Sequence, residues 1–571
     1  MRKQWQWPPR ELPPSTQELA RQLAIHPALA GLLHSRGIQD QEAAQAFFSP
    51  SLDALHNPFL LKDMNKAVNR LLAAREAGEK VLLYGDYDVD GTCCIAMLYD
   101  FLSDLSFSLD YYIPNRHIEG YGLSLKGIEY AREQSCGLII SLDCGIRAVE
   151  PVAAARAGGM DVIICDHHLP GDVLPDAHAI LNPKQLDCPY PFDQLSACGV
   201  AYKWAQAIAH RLSVPSDRLE SLLDLVALST ASDIVPLQGE NRILAHHGLR
   251  RLNRQPRLGV KALIHVARKE PPLSISDLVF GLGPRLNAAG RMADAALAVR
   301  LLLSADESAA HQLAGHLDHR NEVRKKLDRE TFAQAQEQFE SEEGWEQKPA
   351  IVLAGTDWHK GILGIVASRL SEYYHRPAIV LTEHAKGQLS GSGRSVPGID
   401  LCATLSTCAE HLGRFGGHQQ AVGLQLDASK FEDFRDALLL QASRWNIEKA
   451  VGSSLEIAAE VPLADVNAGF YRDLQRFAPF GPGNPRPLFA SRALQDSGYV
   501  RVLKNKHLKF AVSQDGSQPM DAIAFGQADR LKTVAEGDFS ICYVLEENRW
   551  KGRRQLQLRV RDILGPEDSK A

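Results

Sequence analysis

The sequence predicts an α/β protein that contains a parallel sheet, a long helix and a small C-terminal β-barrel. Three observations predict this fold class. Apolar runs at 81–83, 138–142 and 162–165 alternate with helix-like segments, which is the order of a parallel sheet. A basic amphipathic stretch follows at 306–339, and short alternating runs begin near Ser454. Because 571 residues are too many for one core, several domains are expected.

The first apolar run leads directly into three carboxylates. In Tyr84-Gly85-Asp86-Tyr87-Asp88-Val89-Asp90-Gly91 the aspartates occupy alternate positions, so a continuing strand would direct all three to one side. Two carboxylates about 4 Å apart repel by roughly 4 kcal/mol at an effective dielectric constant near 20. The cluster therefore predicts a bound divalent metal.

Two other structures share this pattern. Asp-x-Asp-x-Asp-Gly opens an EF-hand loop, but that loop needs a preceding helix and a Glu at its twelfth position, where this chain has Met97. A single aspartate after a strand also commonly caps the next helix. The later motifs favour the metal site over both alternatives.

Further acids follow the later elements. Asp143 comes after the run at 138–142, and Asp166-His167-His168 comes after 162–165. Ligands of parallel sheets bind at the carboxyl ends of the strands, so the topology predicts that these groups converge. Asp233 follows a buried helix that stops near Ala231. Alone it would be read as a turn residue, and its assignment to the site depends on the other motifs.

The donor set consists of carboxylates with one or two imidazoles and no thiolate, which favours Mn²⁺ or Mg²⁺ over Zn²⁺. Two such ions about 3.5 to 4 Å apart lower the pKa of a bound water and clamp the attacking and leaving oxygens of a phosphoryl group. That geometry needs a bridging carboxylate. Chain order alone does not identify which aspartate bridges.

These motifs resemble, in order, the four motifs of the DHH phosphoesterase superfamily, and no position in them departs from its pattern. From about Pro50 onward the chain is similar to the RecJ family of bacterial single-strand-specific DNA exonucleases. The resemblance implies two metal ions, with Asp143 as the bridge and Asp86 as a ligand or an outer support. The metal ligands that it implies are Asp86, Asp88, Asp90, Asp143, His167 and Asp233.

The same resemblance assigns the catalytic residues. His168 is expected to contact the scissile phosphate and to protonate the leaving oxygen. Asp166 is expected to orient the imidazoles, as outer carboxylates commonly do.

Segments rich in glycine and arginine are candidates for phosphate binding. Small residues at 283–291 allow close backbone approach and guanidinium forks suit phosphate, although a packed helix with solvated arginines has the same pattern. The loop at 416–418, together with 357–361, resembles the DHHA1 domain, in which this loop contacts substrate. Arg116, Ser392 and Arg394 resemble the residues that hold a terminal 5′-phosphate. The predicted substrate-binding residues are Arg116, Arg285, Asn287, Arg291, Ser392, Arg394, Gly416, Gly417 and His418.

Basic character must be local, because the formal net charge is -6. The stretch at 306–339 predicts a helix about 50 Å long, either a solvated linker or a helix whose basic face follows a strand. Beyond Ser454, an aromatic residue lies among cations, as base stacking combined with phosphate contact requires, so we expect an OB-fold that binds single strands. The predicted contacts are Lys504, Lys506, Lys509, Trp550, Lys551, Arg553 and Arg554.

The full predicted fold class is α/β, with a parallel-sheet DHH catalytic domain, a long connecting helix, an α/β DHHA1 domain and a C-terminal OB-like β-barrel. The predicted boundaries are an N-terminal helical segment at 1–50, the DHH domain at 51–304, the connecting helix at 305–345, the DHHA1 domain at 346–450 and the OB-fold at 451–571. The sequence contains neither an apolar run of about 18 residues nor a signal-peptide core, which predicts a cytoplasmic protein without a membrane partner. The ten cysteines form no Cys-x-x-Cys pair and are expected to be reduced.

The combined prediction is a metal-dependent 5′-to-3′ exonuclease that hydrolyses single-stranded DNA to mononucleotides in DNA repair and recombination. The resemblance alone implies the polarity and the single-strand preference, and also a monomer whose partners include single-strand-binding protein and a helicase. A phosphodiesterase or pyrophosphatase for smaller substrates would share the metal site but leave the barrel and basic helix idle. A structural DNA clamp of similar fold requires missing metal ligands, whereas this chain has every ligand.

Overall fold

The computed structural model describes residues 4–9, 11–116, 118–292, 294–385, 387–445, 454–550 and 553–566. The chain divides into two compact units, one formed by 1–54 together with 453–571 and the other by 55–452. The N-terminal segment therefore packs with the C-terminal domain. The predicted domain boundaries stay predictions.

The strands are β1 Gln4–Gln6, β2 Lys80–Gly85, β3 Ser108–Tyr112, β4 Cys136–Leu142, β5 Asp161–Cys165, β6 Ala179–Leu181, β7 Ile351–Gly355, β8 Ala378–Ala385, β9 Gln388–Arg394, β10 Arg414–His418, β11 Ala421–Asp427, β12 Ser454–Glu456, β13 Ala459–Glu460, β14 Phe489–Asp496, β15 Arg501–Leu503, β16 His507–Ser513, β17 Met520–Ala524, β18 Phe539–Trp550 and β19 Arg553–Leu564.

The helices are α1 Pro14–Leu23, α2 Pro27–Ser35, α3 Gln41–Phe48, α4 Met64–Glu76, α5 Val89–Ser103, α6 Leu125–Glu133, α7 Val149–Ala157, α8 Ala197–Leu212, α9 Ser216–Glu220, α10 Leu223–Ser232, α11 Gly239–Arg254, α12 Leu258–Val266, α13 Ile275–Asp277, α14 Gly283–Arg291, α15 Ala296–Leu302, α16 Glu307–Glu340, α17 Leu363–Tyr374, α18 Leu401–Ser406, α19 Phe431–Ala442, α20 Ala468–Gln475 and α21 Leu531–Glu536.

The predicted parallel sheet is confirmed, with strand order β3-β2-β4-β5-β6 and parallel pairing throughout. Its central strands are continuous apolar runs because both faces of the sheet are covered. Gly85, Leu142 and Cys165 lie in register at the carboxyl ends of β2, β4 and β5. The acids that follow these strands therefore emerge side by side.

The long helix is also confirmed, as α16 with 34 residues. The Asp306 side chain accepts a hydrogen bond from the Ala309 N–H and caps its first turn. Beyond it lies a second sheet of order β10-β11-β9-β8-β7, in which β7 and β8 are parallel and the other pairs antiparallel. This is the second α/β domain of the predicted fold class.

The C-terminal unit contains the predicted β-barrel. Its strands run in the order β13-β14-β18-β19-β17-β16-β15, and an additional pairing of β14 with β16 closes the sheet. The N-terminal strand β1 pairs with β12, and the Trp5 indole N–H donates to Asp562 at 2.9 Å. Helices α1 to α3 share the core of this unit, where Phe477 is fully buried.

No disulfide joins cysteines within the described residues. Within the described ranges, the structure contains no helix with both the length and the apolar character needed to cross a membrane.

Candidate active site

The active-site acids stand where parallel strands end. Asp86 follows β2, Asp143 follows β4 and Asp166 follows β5. The sheet hydrogen bonding continues through them, because the Asp143 N–H donates to the Cys165 carbonyl and the Asp166 N–H to the Leu181 carbonyl, each at 3.0 Å. The predicted convergence at the carboxyl ends is therefore present.

Strand alternation does not align the first three aspartates, and that part of the prediction is wrong. β2 ends at Gly85, Asp88 is the N-cap of α5 and Asp90 lies in the first helical turn. The Asp88 side chain accepts a hydrogen bond from the Gly91 N–H at 3.1 Å, so Asp88 is at once a helix cap and a candidate ligand. A side chain at Gly91 would collide with the backbone of Asp86, so only glycine permits this tight turn.

His167 lies at the centre of the site. Its Nδ1 is 3.0 Å from the Leu195 carbonyl, which orients the ring so that Nε2 faces the carboxylates. Nε2 is 3.4 Å from Asp143 Oδ1, 3.6 Å from Asp233 Oδ2 and 4.0 Å from Asp90 Oδ2. Asp233 is the residue that ends α10, as predicted from the sequence. Acids distant in the chain thus meet around one imidazole.

The side chains fit divalent metal ions. Asp86 Oδ1, Asp143 Oδ1 and His167 Nε2 are buried and have no hydrogen-bond partner among the described residues. Buried polar atoms without partners are costly, and a cation would satisfy all three. Among the described residues, three groups of side chains have potential ligand atoms that all lie within 4.8 Å of one another. They are Asp86, Asp88 and Asp143; Asp90, His167 and Asp233; and Asp143, His167 and His168. Asp143 and His167 each occur in two of the groups, and Asp143 is the carboxylate that does so.

The electrostatics of the acids also favour a bound cation. Burial raises the pKa of Asp86, Asp88 and Asp143, and neighbouring carboxylates raise each pKa further. The same two causes, burial and the neighbouring carboxylates, raise the pKa of Asp233 to about 9. Burial lowers the pKa of His167, so its imidazole is neutral and available as a ligand. Asp143 also has a left-handed backbone, with φ of 60°, which is strain of the kind found at functional sites.

Asp166 and His168 form a hydrogen-bonded pair beside the cluster. Asp166 accepts from the N–H groups of Ile146 and His168 at 3.0 and 3.1 Å, and its Oδ1 is 2.7 Å from His168 Nδ1. Burial opposes ionisation of Asp166, but the bonds to His168 and the backbone outweigh it and lower the pKa to about 2. Burial alone would lower the pKa of His168, yet its bond to Asp166 raises the pKa overall. The Asp166 carboxylate thus favours the protonated form of the His168 imidazole.

Tyr121 is a site residue that sequence reasoning missed. Its hydroxyl donates to the Asp143 carbonyl at 3.0 Å and lies 3.2 Å from His168 Nδ1. Gly120 and Gly122 flank it with φ of 85° and 86°, and this Gly-Tyr-Gly sequence is the signal that could have identified it. Tyr121 and His168 line a cavity of about 300 Å³ together with His418. The two α/β domains of this unit therefore meet at the site.

An arginine pocket lies next to the acids. The Arg116 guanidinium sits 5.0 Å from the ring centre of Tyr87, which separates Asp86 from Asp88 in the sequence. Arg291 Nη1 donates to the Gly361 carbonyl at 3.1 Å, just before α17 begins. A Cβ placed on Gly364, in the first turn of α17, would be 2.9 Å from Arg394 Nη2. Arg116, Arg291 and Arg394 therefore gather at a helix N-terminus, a favourable place for an anion.

The other predicted substrate-binding residues differ in their burial and in their distance from the arginine pocket. Ser392 lies on β9, near Gly364. Asn287 is half-buried in α14, and Gly416 and Gly417 are exposed on β10. Arg285 is buried and donates to Asp318 at 2.8 Å and to the Gly281 carbonyl at 2.6 Å. The structure therefore holds Arg285 in helix packing, the alternative reading of its segment, and does not join it to the arginine pocket.

The predicted barrel contacts lie around two hairpins. Lys504 and Lys506 are exposed in the turn between β15 and β16, and Lys509 is half-buried on β16. Arg554 is exposed on β19. Only the backbone is described for Trp550 and Arg553, which pair in the β18–β19 hairpin, and Lys551 lies outside the described residues.

Comparison with known proteins agrees with this geometry. The chain matches the DHH family N-terminal domain over 80–230, the DHHA1 domain over 347–443 and the RecJ OB domain over 457–562. It is 37% identical to the single-stranded-DNA-specific exonuclease RecJ of Bacillus subtilis, over 96% of this chain and 69% of that protein. It is 35% identical to the Escherichia coli protein of the same name, over 94% of this chain and 96% of that one.

A crystal structure of RecJ in complex with Mn²⁺ from Thermus thermophilus superposes with a TM-score of 0.84 at 27% identity, covering 99% of this chain and 80% of that one. The fold and the acidic centre define a DHH phosphoesterase. Within this class, the chain belongs to the RecJ family.

Ser229 is a further residue that the sequence did not indicate, since it is one of three hydroxyl residues in the largely apolar helix α10. Its Oγ donates to Asp90 Oδ1 at 2.7 Å. The N–H groups of Ala197 and Cys198, at the start of α8, donate to the same carboxylate at 2.8 and 2.9 Å. This cage fixes Asp90 so that Oδ2 faces His167.

Replacing Ser229 with Ala is therefore expected to weaken Mn²⁺ binding by about tenfold, because outer-sphere partners of ligands commonly contribute about 10- to 100-fold. Titration calorimetry with Mn²⁺ measures the effect. The control is Thr230→Val, which removes a neighbouring buried hydroxyl whose described contact is Ser196 at 3.5 Å. Equal Mn²⁺ affinity in Ser229→Ala and the wild type would contradict this role.

Proposed function

We propose that the chain is a metal-dependent 5′-to-3′ exonuclease that hydrolyses single-stranded DNA to mononucleotides in DNA repair and recombination. One observation carries the proposal: an acidic centre that fits two divalent ions lies beside a basic pocket suited to a terminal phosphate. Tyr87 belongs to both, since it separates Asp86 from Asp88 and packs under Arg116 at 5.0 Å.

Mn²⁺ or Mg²⁺ is the proposed cofactor, with two ions per site. When bound, the ions supply an activated water nucleophile and stabilise charge on the phosphoryl oxygens. Asp86, Asp88 and Asp143 would hold one ion, and Asp90, His167 and Asp233 the other, with Asp143 facing both. His168, protonated because Asp166 raises its pKa, would give a proton to the leaving 3′-oxygen.

The arginine pocket supports the polarity that the family resemblance implies. Arg116, Arg394 and Ser392 would hold the terminal 5′-phosphate at the N-terminus of α17, where the helix dipole favours an anion. With the 5′-phosphate fixed beside the metal centre, the next phosphodiester along the strand reaches the acids. The enzyme would then release one nucleotide in each cycle.

The barrel would supply further contacts to the single strand. Arg501, Lys509, Ile523 and Arg559 form one row across β15, β16, β17 and β19. Phe525 is 50% exposed next to this row, 5.5 Å from the Arg559 guanidinium. An exposed ring among cations suits base stacking with phosphate contact.

We also propose a cytoplasmic enzyme that acts as a monomer with single-strand-binding protein and a helicase, on the strength of family membership. The rival function is a phosphodiesterase for dinucleotides. Incubation with Mn²⁺ and 5′-labelled single strands, duplex or a dinucleotide separates the two. Mononucleotide release from long single strands supports the exonuclease, and cleavage confined to the dinucleotide supports the rival.

Asp143→Ala is expected to lower hydrolysis at least about 100-fold, because it removes a proposed ligand of both ions rather than an outer partner. Binding of single strands in EDTA should survive. Release of labelled mononucleotides measures the first effect and fluorescence anisotropy the second. The control is Asp217→Ala, which alters an exposed carboxylate of the same unit. Wild-type turnover in Asp143→Ala would remove this residue from the metal centre.

Arg394→Ala is expected to slow hydrolysis of 5′-phosphorylated strands by about tenfold or more, since charge-assisted hydrogen bonds are worth about 1.5–3 kcal/mol. Strands with a 5′-hydroxyl lack the phosphate and should be affected little. The ratio of kcat/KM for the two substrates measures this selectivity. An equal loss on both substrates would contradict the 5′-phosphate assignment.

Phe525→Ala is expected to weaken binding of long single strands by about 1–3 kcal/mol through lost base stacking. Leu531→Ala, which truncates another exposed apolar side chain of this unit, is the control. Anisotropy titrations with the two variants give the comparison. Unchanged affinity in Phe525→Ala would move the stacking surface elsewhere on the barrel.

A further inference from the structure

A fourth guanidinium lies at the arginine pocket, and it comes from the connecting helix. Helix α16 packs against α14, which ends at Arg291, and against α17 and the turn at 360–362. Asp328, one turn beyond Arg324, accepts a hydrogen bond from Arg369 of α17 at 3.1 Å. Arg324 and Asp328 are four residues apart in α16, so Arg324 lies on the same side of the helix, the side that faces α17.

The Arg324 guanidinium has an unsatisfied donor among the described residues. Its Nε is buried and has no hydrogen-bond partner among the described residues. Asp328 and Glu322 of α16 act on Arg324 through their charge, but their described hydrogen bonds are to other side chains, Glu322 to Lys325 at 2.9 Å and Asp328 to Arg369 at 3.1 Å. A buried donor of this kind is costly unless an anion completes it.

The charge of Arg324 affects the pKa of the neighbouring Arg291. Burial lowers the pKa of Arg291 to about 10, and the charges of Arg116, Arg324 and Arg394 contribute to the lowering. Burial also lowers the pKa of Arg324 itself. The positive charges of three guanidinium groups therefore act on Arg291, and a bound anion would relieve that repulsion.

We propose that Arg324 binds the 5′-terminal phosphate of the substrate together with Arg116 and Arg394. The connecting helix would then be a substrate-binding element and not only a spacer between the two α/β domains. The inference rests on the proposed function, and it adds a phosphate ligand that the sequence patterns did not indicate.

The test compares Arg324→Gln with Arg329→Gln in the full chain. Both variants remove one positive charge from α16, but Arg329 is exposed and its guanidinium donates to the Lys325 carbonyl at 3.2 Å. Anisotropy titrations in EDTA use a 3′-labelled oligothymidylate that carries either a 5′-phosphate or a 5′-hydroxyl. The ratio of the two dissociation constants is the readout, because a general loss of charge or stability changes both constants alike.

In Arg324→Gln, the preference for the 5′-phosphate is expected to fall by about tenfold or more, while Arg329→Gln keeps the wild-type ratio. A wild-type ratio in Arg324→Gln, with the ratio lost in Arg394→Ala, would overturn the inference and leave the proposed function intact. A wild-type protein with no preference for the 5′-phosphate would overturn the proposed end recognition itself.

Should Arg324→Gln fail to fold in a thermal melt, Arg324→Lys replaces it. Lysine keeps the charge but loses the planar fork, so the ratio is expected to fall several-fold. The wild-type ratio in Arg324→Lys would then overturn the inference.

Discussion

The chemistry of the candidate active site depends on the mutual repulsion of the carboxylates that the parallel sheet brings together. Parallel strands β2, β4 and β5 end in register, so the acids that follow them emerge at one edge. Burial and proximity raise the pKa of Asp86, Asp143 and Asp233, which means that the folded chain stores an unfavourable charge interaction. Divalent cations reverse the sign of that interaction. The rest of the site serves to hold these acids still, through the Leu195 carbonyl, the start of α8 and Ser229.

A second cluster of like charges stands next to the first, with the opposite sign. Arginines from the strand-end loops, from α14, from α16 and from β9 gather near the start of α17. The two clusters meet at Tyr87. Cations relieve one cluster and an anionic strand end relieves the other, so a metal-loaded enzyme with a phosphorylated strand neutralises both. The proposed metal ions would bind the acidic cluster, and the proposed 5′-phosphate would bind the basic cluster beside it. Because the two clusters are adjacent, the proposed product is one nucleotide long.

The sequence predicted those features that depend on residues close together in the chain. The strand runs, the acids after them, the long helix and the barrel strands could all be recognised, because burial and periodicity leave marks over a few residues. Alternation was the wrong reason for grouping Asp86, Asp88 and Asp90, since the chain turns into α5 at that point and a helix cap, not a strand, positions Asp88. Arg285 was grouped with the phosphate-binding residues because it lies in a glycine-rich segment. The structure instead pairs it with the carboxylate of Asp318.

By itself, the sequence determined which side chains could form a metal centre, which elements carry them and which family the chain resembles. Only the tertiary structure decided how they meet: that Asp143 belongs to two ligand groups, that Ser229 bonds to Asp90, that Tyr121 contacts His168, and that the connecting helix packs on α14 and α17. The physical reason is that these contacts join residues far apart in the chain. The packing of helices and strands determines which residues come into contact, and that packing cannot be predicted from a few neighbouring residues of the sequence.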